Sequence, residues 1–368
     1  MVKPVRKSSN KNPPIFSHEF VIQNHADIVS CVAMVFVVGL MVQATSPLAS
    51  VFITLHHNVT GESGDLPLYL PGYKDWACVF FYSLICVIIH AIIQEYVLDK
   101  VSKKLHLSKS KLAVFSTSGQ LTAFYALSAL WGLDIAFKEH LVPDVARIWS
   151  DYPVLMTFMF KLYVVIQLAY SLHELPELYF QRAKREDYVP RASHSLAGLV
   201  LVAVPYFLGF NRLLVSLLVL HHVAELFHHL AQLVQTVDKE ERFSRATGLV
   251  SNALQIVARL GSIILAVLTL WYGLASKENQ ELDVKKGRFN TPPIRFSVLA
   301  GIILLQMYLI FKVISRELTR SREAGPAITA PKVKAQKKAK TKSKKPDESD
   351  LPEVDQNTNK TLRKQKVK

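Results

Sequence analysis

The residues best suited to chemistry lie in one apolar run, RLLVSLLVLHHVAELFHHLAQLVQT at 212–236, which carries His221, His222, Glu225, His228 and His229. At about 3.6 residues per turn, His221, Glu225 and His228 share one helix face, and His222, Glu225 and His229 nearly do. Glu225 therefore stands at the centre of an imidazole–carboxylate stripe. Ionisable groups are costly in hydrocarbon, so the stripe is expected to face other helices or a water-filled cavity. Imidazole beside carboxylate suits acid–base chemistry, metal ligation, or a polar interior without chemistry. The run is not the H-E-x-x-H zincin pattern and places no general base beside itself, so zinc is not expected. No P-loop or dinucleotide fingerprint occurs in the chain, and no cofactor is expected either.

The elements that position the stripe follow from composition. Half of the 368 residues are hydrophobic, yet the formal charge is +15. Those values conflict for a soluble domain and agree for an all-α, polytopic membrane protein with basic ends. Cys31, Cys78 and Cys86 all lie in apolar runs, so no disulfide framework is implied. Spans of sufficient length are expected at 28–49, 76–98, 119–137, 154–176, 193–210, 212–236, 250–275 and 294–315. That gives about eight transmembrane helices. The first follows a polar arm (1–27) without a small-residue cleavage site, so it reads as a span and not as a removed signal peptide. The fifth and sixth are separated only near Asn211 and require a tight helical hairpin.

An even number of spans puts both ends on one side, and the Lys/Arg bias selects the cytosolic one. Five alternating segments, including the arm and the region from Arg316 onward, hold 32 of the 44 basic residues; the opposite loops hold nine. Asn58-Val59-Thr60 is a glycosylation acceptor in a loop expected on the lumenal side. The basic tail, 326–368, cannot bury enough apolar surface to order itself, and its KKAKTKSKK run at 337–345 suits ribosomal RNA or anionic lipid. Its last residues, KQKVK, fit the KxKxx retrieval pattern.

Further polar groups fall inside spans. His90, Glu95, Asp134 and Lys312 are expected to snorkel from near span ends. Lys161 and Arg259 are deeper. Together with His194, His221, Glu225 and His228 they are expected to line a shared cavity, with His222 and His229 on the same helix.

The runs PPIFSHEFVIQNHADIVSCVAMVF, HAIIQEYVLDK, ELPELYFQ and ENQELD closely resemble the translocating chain-associated membrane proteins of the endoplasmic reticulum, the TRAM family. The resemblance extends to about residue 325, and 118–325 looks like the TLC domain that this family shares with the ceramide synthases. It implies a six-helix bundle preceded by two helices (28–117), and partnership with the Sec protein-conducting channel and nascent chains, beside membrane lipid. In the ceramide synthases a His-His pair opens one span and a His-Asp-x-x-Asp run occupies the next. Here Ser193-His194 and His221-His222-Val223-Ala224-Glu225 stand in those places, so partners are missing. The resemblance therefore favours a non-enzymatic translocation factor or a lipid-perturbing scaffold. A lipid-modifying acyltransferase using His194, His221 and Glu225 is the alternative.

Overall fold

The computed structural model describes residues 14, 17–60, 66–181, 185–238, 242–277, 280–284 and 287–324. The chain divides into two compact units, Met1–Leu318 and Thr319–Lys368, and the described part of the second is the end of one helix. The far N-terminal arm and the tail from 325, with its basic run and its KQKVK end, lie outside the described residues.

The described residues are almost wholly helical. In chain order they form α1 (His18–Gln23), α2 (His25–Met41), α3 (Ser46–Ile53), α4 (Asp75–Ile92), α5 (Asp99–Leu105), α6 (Lys109–Lys138), α7 (Phe158–Phe180), α8 (Arg185–Phe207), α9 (Asn211–Val237), α10 (Arg242–Val267) and α11 (Pro292–Ala324). A π-helical turn, Ile93–Leu98, joins α4 to α5, and another, Leu268–Gly273, extends α10. The expected spans other than the first each fall on a long helix, and the first is divided between α2 and α3. Among the described residues, four stretches are long and apolar enough by length and composition to cross a membrane: Asp75–Leu105, Asn211–Val237, Phe243–Gly273 and Pro292–Arg322.

Three local departures have physical causes. The first expected span is not continuous: α2 stops at Met41, and α3 starts again with Pro47 in its first turn, where its missing N–H costs nothing. Thr45 Oγ1 donates to the Gly39 carbonyl at 2.9 Å, and α3 folds back so that Gly39 meets Ala49 and Phe36 meets Phe52. The expected start of the fourth span instead pairs as a strand, Met156–Thr157 against Leu68–Tyr69, before Thr157 caps α7. The hairpin near Asn211 is tight, with Gly209 at φ +77° supplying the left-handed turn between α8 and α9.

Side chains finish the packing. One apolar cluster joins α4, α7, α8 and α9 around Phe160, Tyr163, Leu168 and Val215. A second joins the Asn58 end of α9, α10 and α11 around Phe210, Leu213, Leu270 and Ile302. α9 lies against both α6 and α10 along its length, whereas α11 meets the others through side chains without close backbone packing. Gly132 of α6 permits a close approach to α7 and α9: a methyl group there would sit 2.8 Å from Tyr163 Oη and 2.7 Å from Val219 Cγ2.

Candidate polar site within the helix bundle

The α9 stripe forms a paired network in the bundle. Arg259 of α10, 1% exposed, spans two of its members. Its Nη1 donates to His221 Nδ1 at 2.8 Å and its Nη2 to Glu225 Oε1 at 2.5 Å. One formal cation is thereby matched by one anion, the condition under which a buried pair is tolerated. The same bond fixes a tautomer. A guanidinium only donates, so His221 Nδ1 must accept, and the ring proton then lies on Nε2. His221 has no free lone pair with which to take a proton from a substrate.

The other imidazoles are also engaged. His222, 3% exposed, sets Nδ1 3.2 Å from Tyr163 Oη of α7 and packs against Phe124 and Tyr125 of α6. His229 stacks on Tyr125 with ring centroids 5.6 Å apart. His228 meets Gln232 at 2.8 Å and Arg316 of α11 at 2.7 Å, and Gln232 in turn accepts from Ser118 of α6 at 2.6 Å. Tyr125 touches His221, His222 and His229 and is the hub that sequence reading missed. An aromatic at helical spacing in an apolar run gives no signal that distinguishes it from ordinary core.

His194 and Lys161 stand apart. His194 is exposed on α8, within electrostatic reach of Glu174 and His221 but without a direct bond to the network among the described residues. Lys161 belongs elsewhere: its Nζ meets Asp75 at 2.8 Å and donates to the His56 and Leu70 carbonyls at 2.7 and 2.8 Å. Both side chains of that pair are shielded from solvent, and Asp75 also accepts from Tyr206 Oη and the Gly72 backbone, each at 2.8 Å. Lys161 is therefore a clamp that holds the Asn58 loop on the bundle. The expected shared cavity loses this member because Lys161 lies one turn into α7, level with that loop.

Burial lowers the His57 pKa, partly opposed by Asp75, while burial raises the Tyr152 phenol to about 12. Tyr152 thus stays protonated, donating to the Leu208 carbonyl at 2.7 Å and accepting from Phe289 N at 2.9 Å. Asn58 itself is exposed, and Thr60 Oγ1 donates to its Oδ1 at 2.7 Å.

Of the residues expected to snorkel, Asp134, Glu95 and Lys312 are indeed exposed, Asp134 pairing with Lys138 at 2.7 Å. His90 is not: it faces Glu177 of α7 across 3.4 Å, beside the buried His173. Its neighbour Gln94 is also turned inward, bonding Asp99 and Ser116.

Comparison with known proteins places these elements. The family profile described as TLC domain matches residues 114–315. The chain is 38% identical over 317 residues to translocating chain-associated membrane protein 2 of Mus musculus, and 39% identical over the same length to that of Homo sapiens. Each alignment covers 85% of both chains. A lower similarity, 27% over 152 residues, links it to the sphingosine N-acyltransferase-like protein ALT7 of Alternaria alternata, covering 41% of this chain and 34% of that protein.

Proposed function

Because the chain belongs to the translocating chain-associated membrane protein family and carries its TLC domain, we propose that it assists nascent chains at the Sec channel of the endoplasmic reticulum by placing a partly polar surface at membrane depth. The observation that carries this reading is the Arg259–Glu225–His221 group, whose charges are balanced and whose neighbours are mostly neutral hydrogen-bonding side chains. A charged residue at the centre of an inserting helix costs ~2.5–3.5 kcal/mol on the insertion scale. A neighbouring protein surface that accepts it part-way changes the fate of marginal segments and leaves strongly apolar ones alone. Adding the protein to membranes rebuilt with purified channel should raise transit of weakly hydrophobic signal sequences. Equal transit with and without it, for weak and strong signals alike, would remove the reading.

The proposed topology has eight spans, both ends cytosolic and sugar on Asn58. The positive-inside bias and the exposed sequon support it. Glycosidase treatment that leaves the mobility of the microsomal protein unchanged would count against that orientation. The channel and nascent chains are the partners that the family membership favours; contact with lipid, and with the ribosome through the basic tail, rests on charge alone.

Acyl transfer is the second reading, favoured by the partial likeness to the N-acyltransferase-like protein. Against it stand Ser193 in place of a histidine and an imidazole, His221, whose acceptor nitrogen is already engaged by Arg259. Formation of N-acyl product from sphingoid base and acyl-CoA, lost on H194A, would establish the second reading.

A further inference from the structure

The turn from α9 into α10 holds an open crevice of about 500 Å³, lined by Leu233, Val234, Val237, Asp238, Phe243 and Thr247. Val237 is 41% exposed and Phe243 73%. The space would take roughly 15 waters at about 30 Å³ each, but its lining offers them almost nothing to bond. Asp238 is the acid among the lining residues, and its Oδ2 already accepts from the Phe243 and Ser244 amides at 3.1 and 3.0 Å. A carboxylate in that place is held by the unpaired amides of the helix start. Thr247 is also engaged, its hydroxyl donating to the Phe243 carbonyl at 2.8 Å. What remains is an apolar wall open to the outside, and such a wall takes hydrocarbon.

The rim of the crevice is cationic. α6 runs antiparallel to α9, with Ser118 bonded to Gln232 and the Lys111 Nζ to the Thr236 carbonyl at 3.2 Å. Thr236 directly precedes Val237, so the Lys111 ammonium stands at the edge of the crevice. An ammonium has three donors, and among the described residues this exposed one spends a single donor on that carbonyl. Lys109 beside it on α6, and Lys100, Lys103 and Lys104 on α5, are exposed too. The acids set against them in this stretch are Glu95 and Asp99, and Asp99 accepts from Gln94 at 2.7 Å. In the α9–α10 turn Lys239 and Arg242 offset Glu240 and Glu241 in formal charge. Among the lysines Tyr96, Val97, Val101, Leu112 and Val114 are each at least 37% exposed. Apolar side chains interleaved with cationic ones suit the level at which a helix leaves hydrocarbon for the headgroups. The crevice lies at that level, because the apolar run of α9 ends at 236 and that of α10 begins near 250.

We propose that the α9–α10 crevice is a binding site for one anionic phospholipid, with an acyl chain against Val234, Val237 and Phe243 and the phosphate at Lys111. Apolar wall and cationic rim together select this occupant. An RNA phosphate would meet the lysines but has nothing to fill the crevice. The tail of the chain itself, 326–368, is rich in lysine and poor in large apolar residues, so the rim repels it. A zwitterionic lipid fills the crevice equally well but gains less from the rim, because its own ammonium offsets its phosphate. Each lysine near the surface favours an anionic headgroup about fivefold. The site goes beyond the translocation reading and requires only that α9 and α10 cross the membrane; neither channel nor client enters it.

The test is photolabelling of the full-length chain in phosphatidylcholine nanodiscs carrying a trace of diazirine-acyl phosphatidylserine or of diazirine-acyl phosphatidylcholine. Adducts on residues 233–247 are counted against those on the exposed Leu304 and Tyr308 of α11. On that scale the phosphatidylserine probe should label the crevice at least about fivefold more than the phosphatidylcholine probe. K111Q should cut the preference about fivefold, and K111R, which keeps the cation, should retain it. Equal labelling by the two probes would mean boundary lipid only and would overturn the proposal, as would an undiminished preference in K111Q. Crevice residues left bare while a lysine-reactive crosslinker joins Lys111 to the tail would assign the space to the chain itself and overturn it too. Salt supplies a measurement that needs no variant. At 1 M the Debye length falls to about 3 Å, so the preference of the unaltered chain should largely vanish, and its persistence would overturn the site at Lys111.

Discussion

Replacing Glu225 alone by leucine should destabilise the bundle more than replacing Arg259 alone, and replacing both should restore most of the loss. The asymmetry follows from which charge is stranded. Without Glu225, the guanidinium of Arg259 is 1% exposed, has no anion, and cannot lose its proton in a protein. Breaking a buried pair in this way costs roughly 3–5 kcal/mol. Without Arg259, Glu225 can take up a proton or share one with His221, which stands beside it. The paired variant E225L/R259L strands neither group, and apolar replacement of a whole buried pair is often near neutral. Denaturant titration in detergent of the two single variants and the double variant measures the coupling. Purely additive losses would mean that the two groups do not depend on each other.

K161M should release the Asn58 loop while leaving the α9 network in place. Lys161 ties α7 to Asp75 and to the carbonyls of His56 and Leu70, all within a region shielded from solvent. Its loss leaves the Asp75 carboxylate, among the described residues, with Tyr206 and the Gly72 amide, again at a cost of about 3–5 kcal/mol. Because the clamp and the stripe share no hydrogen bond among those described, the penalty should appear locally. Amides of residues 54–60 and 66–74 should exchange faster and the loop should become open to protease, while exchange along α9 stays slow. Equal acceleration in both regions would show that the clamp supports the whole bundle.

Much of this organisation is written in the chain as periodicity. The stripe on α9 could be read from spacing alone, because 3.6 residues per turn fixes which residues share a face. Spacing does not say which helix the face meets. Lys161 and Arg259 look alike in sequence, each a lone cation in an apolar run, yet one clamps a loop and the other binds the stripe. The difference lies in the level at which each helix starts. Asp75 gave no warning either, since an acidic residue in a first turn is ordinary helix chemistry. His90 was expected at the surface because it lies toward a span end; Glu177, four residues beyond His173 on another helix, draws it inward. The buried polar face of α10 was legible in principle. Ser251, Gln255, Arg259 and Ser262 recur at helical spacing, but attention to titratable groups passes over serine and glutamine. The break at 42–45 was hidden because it carries no charge and no glycine, and only the polar Gln43, Thr45 and Ser46 with Pro47 mark it.

Transit of paired weak and strong signal sequences through membranes rebuilt with E225L/R259L tests the central claim most directly. The double variant removes the polar centre without stranding a charge, so its assembly should be normal. Weakly hydrophobic signals should lose the help that the unaltered protein gives, and strongly hydrophobic signals should cross as before. Full support of weak signals by E225L/R259L would contradict the account and leave the polar interior with a structural role alone.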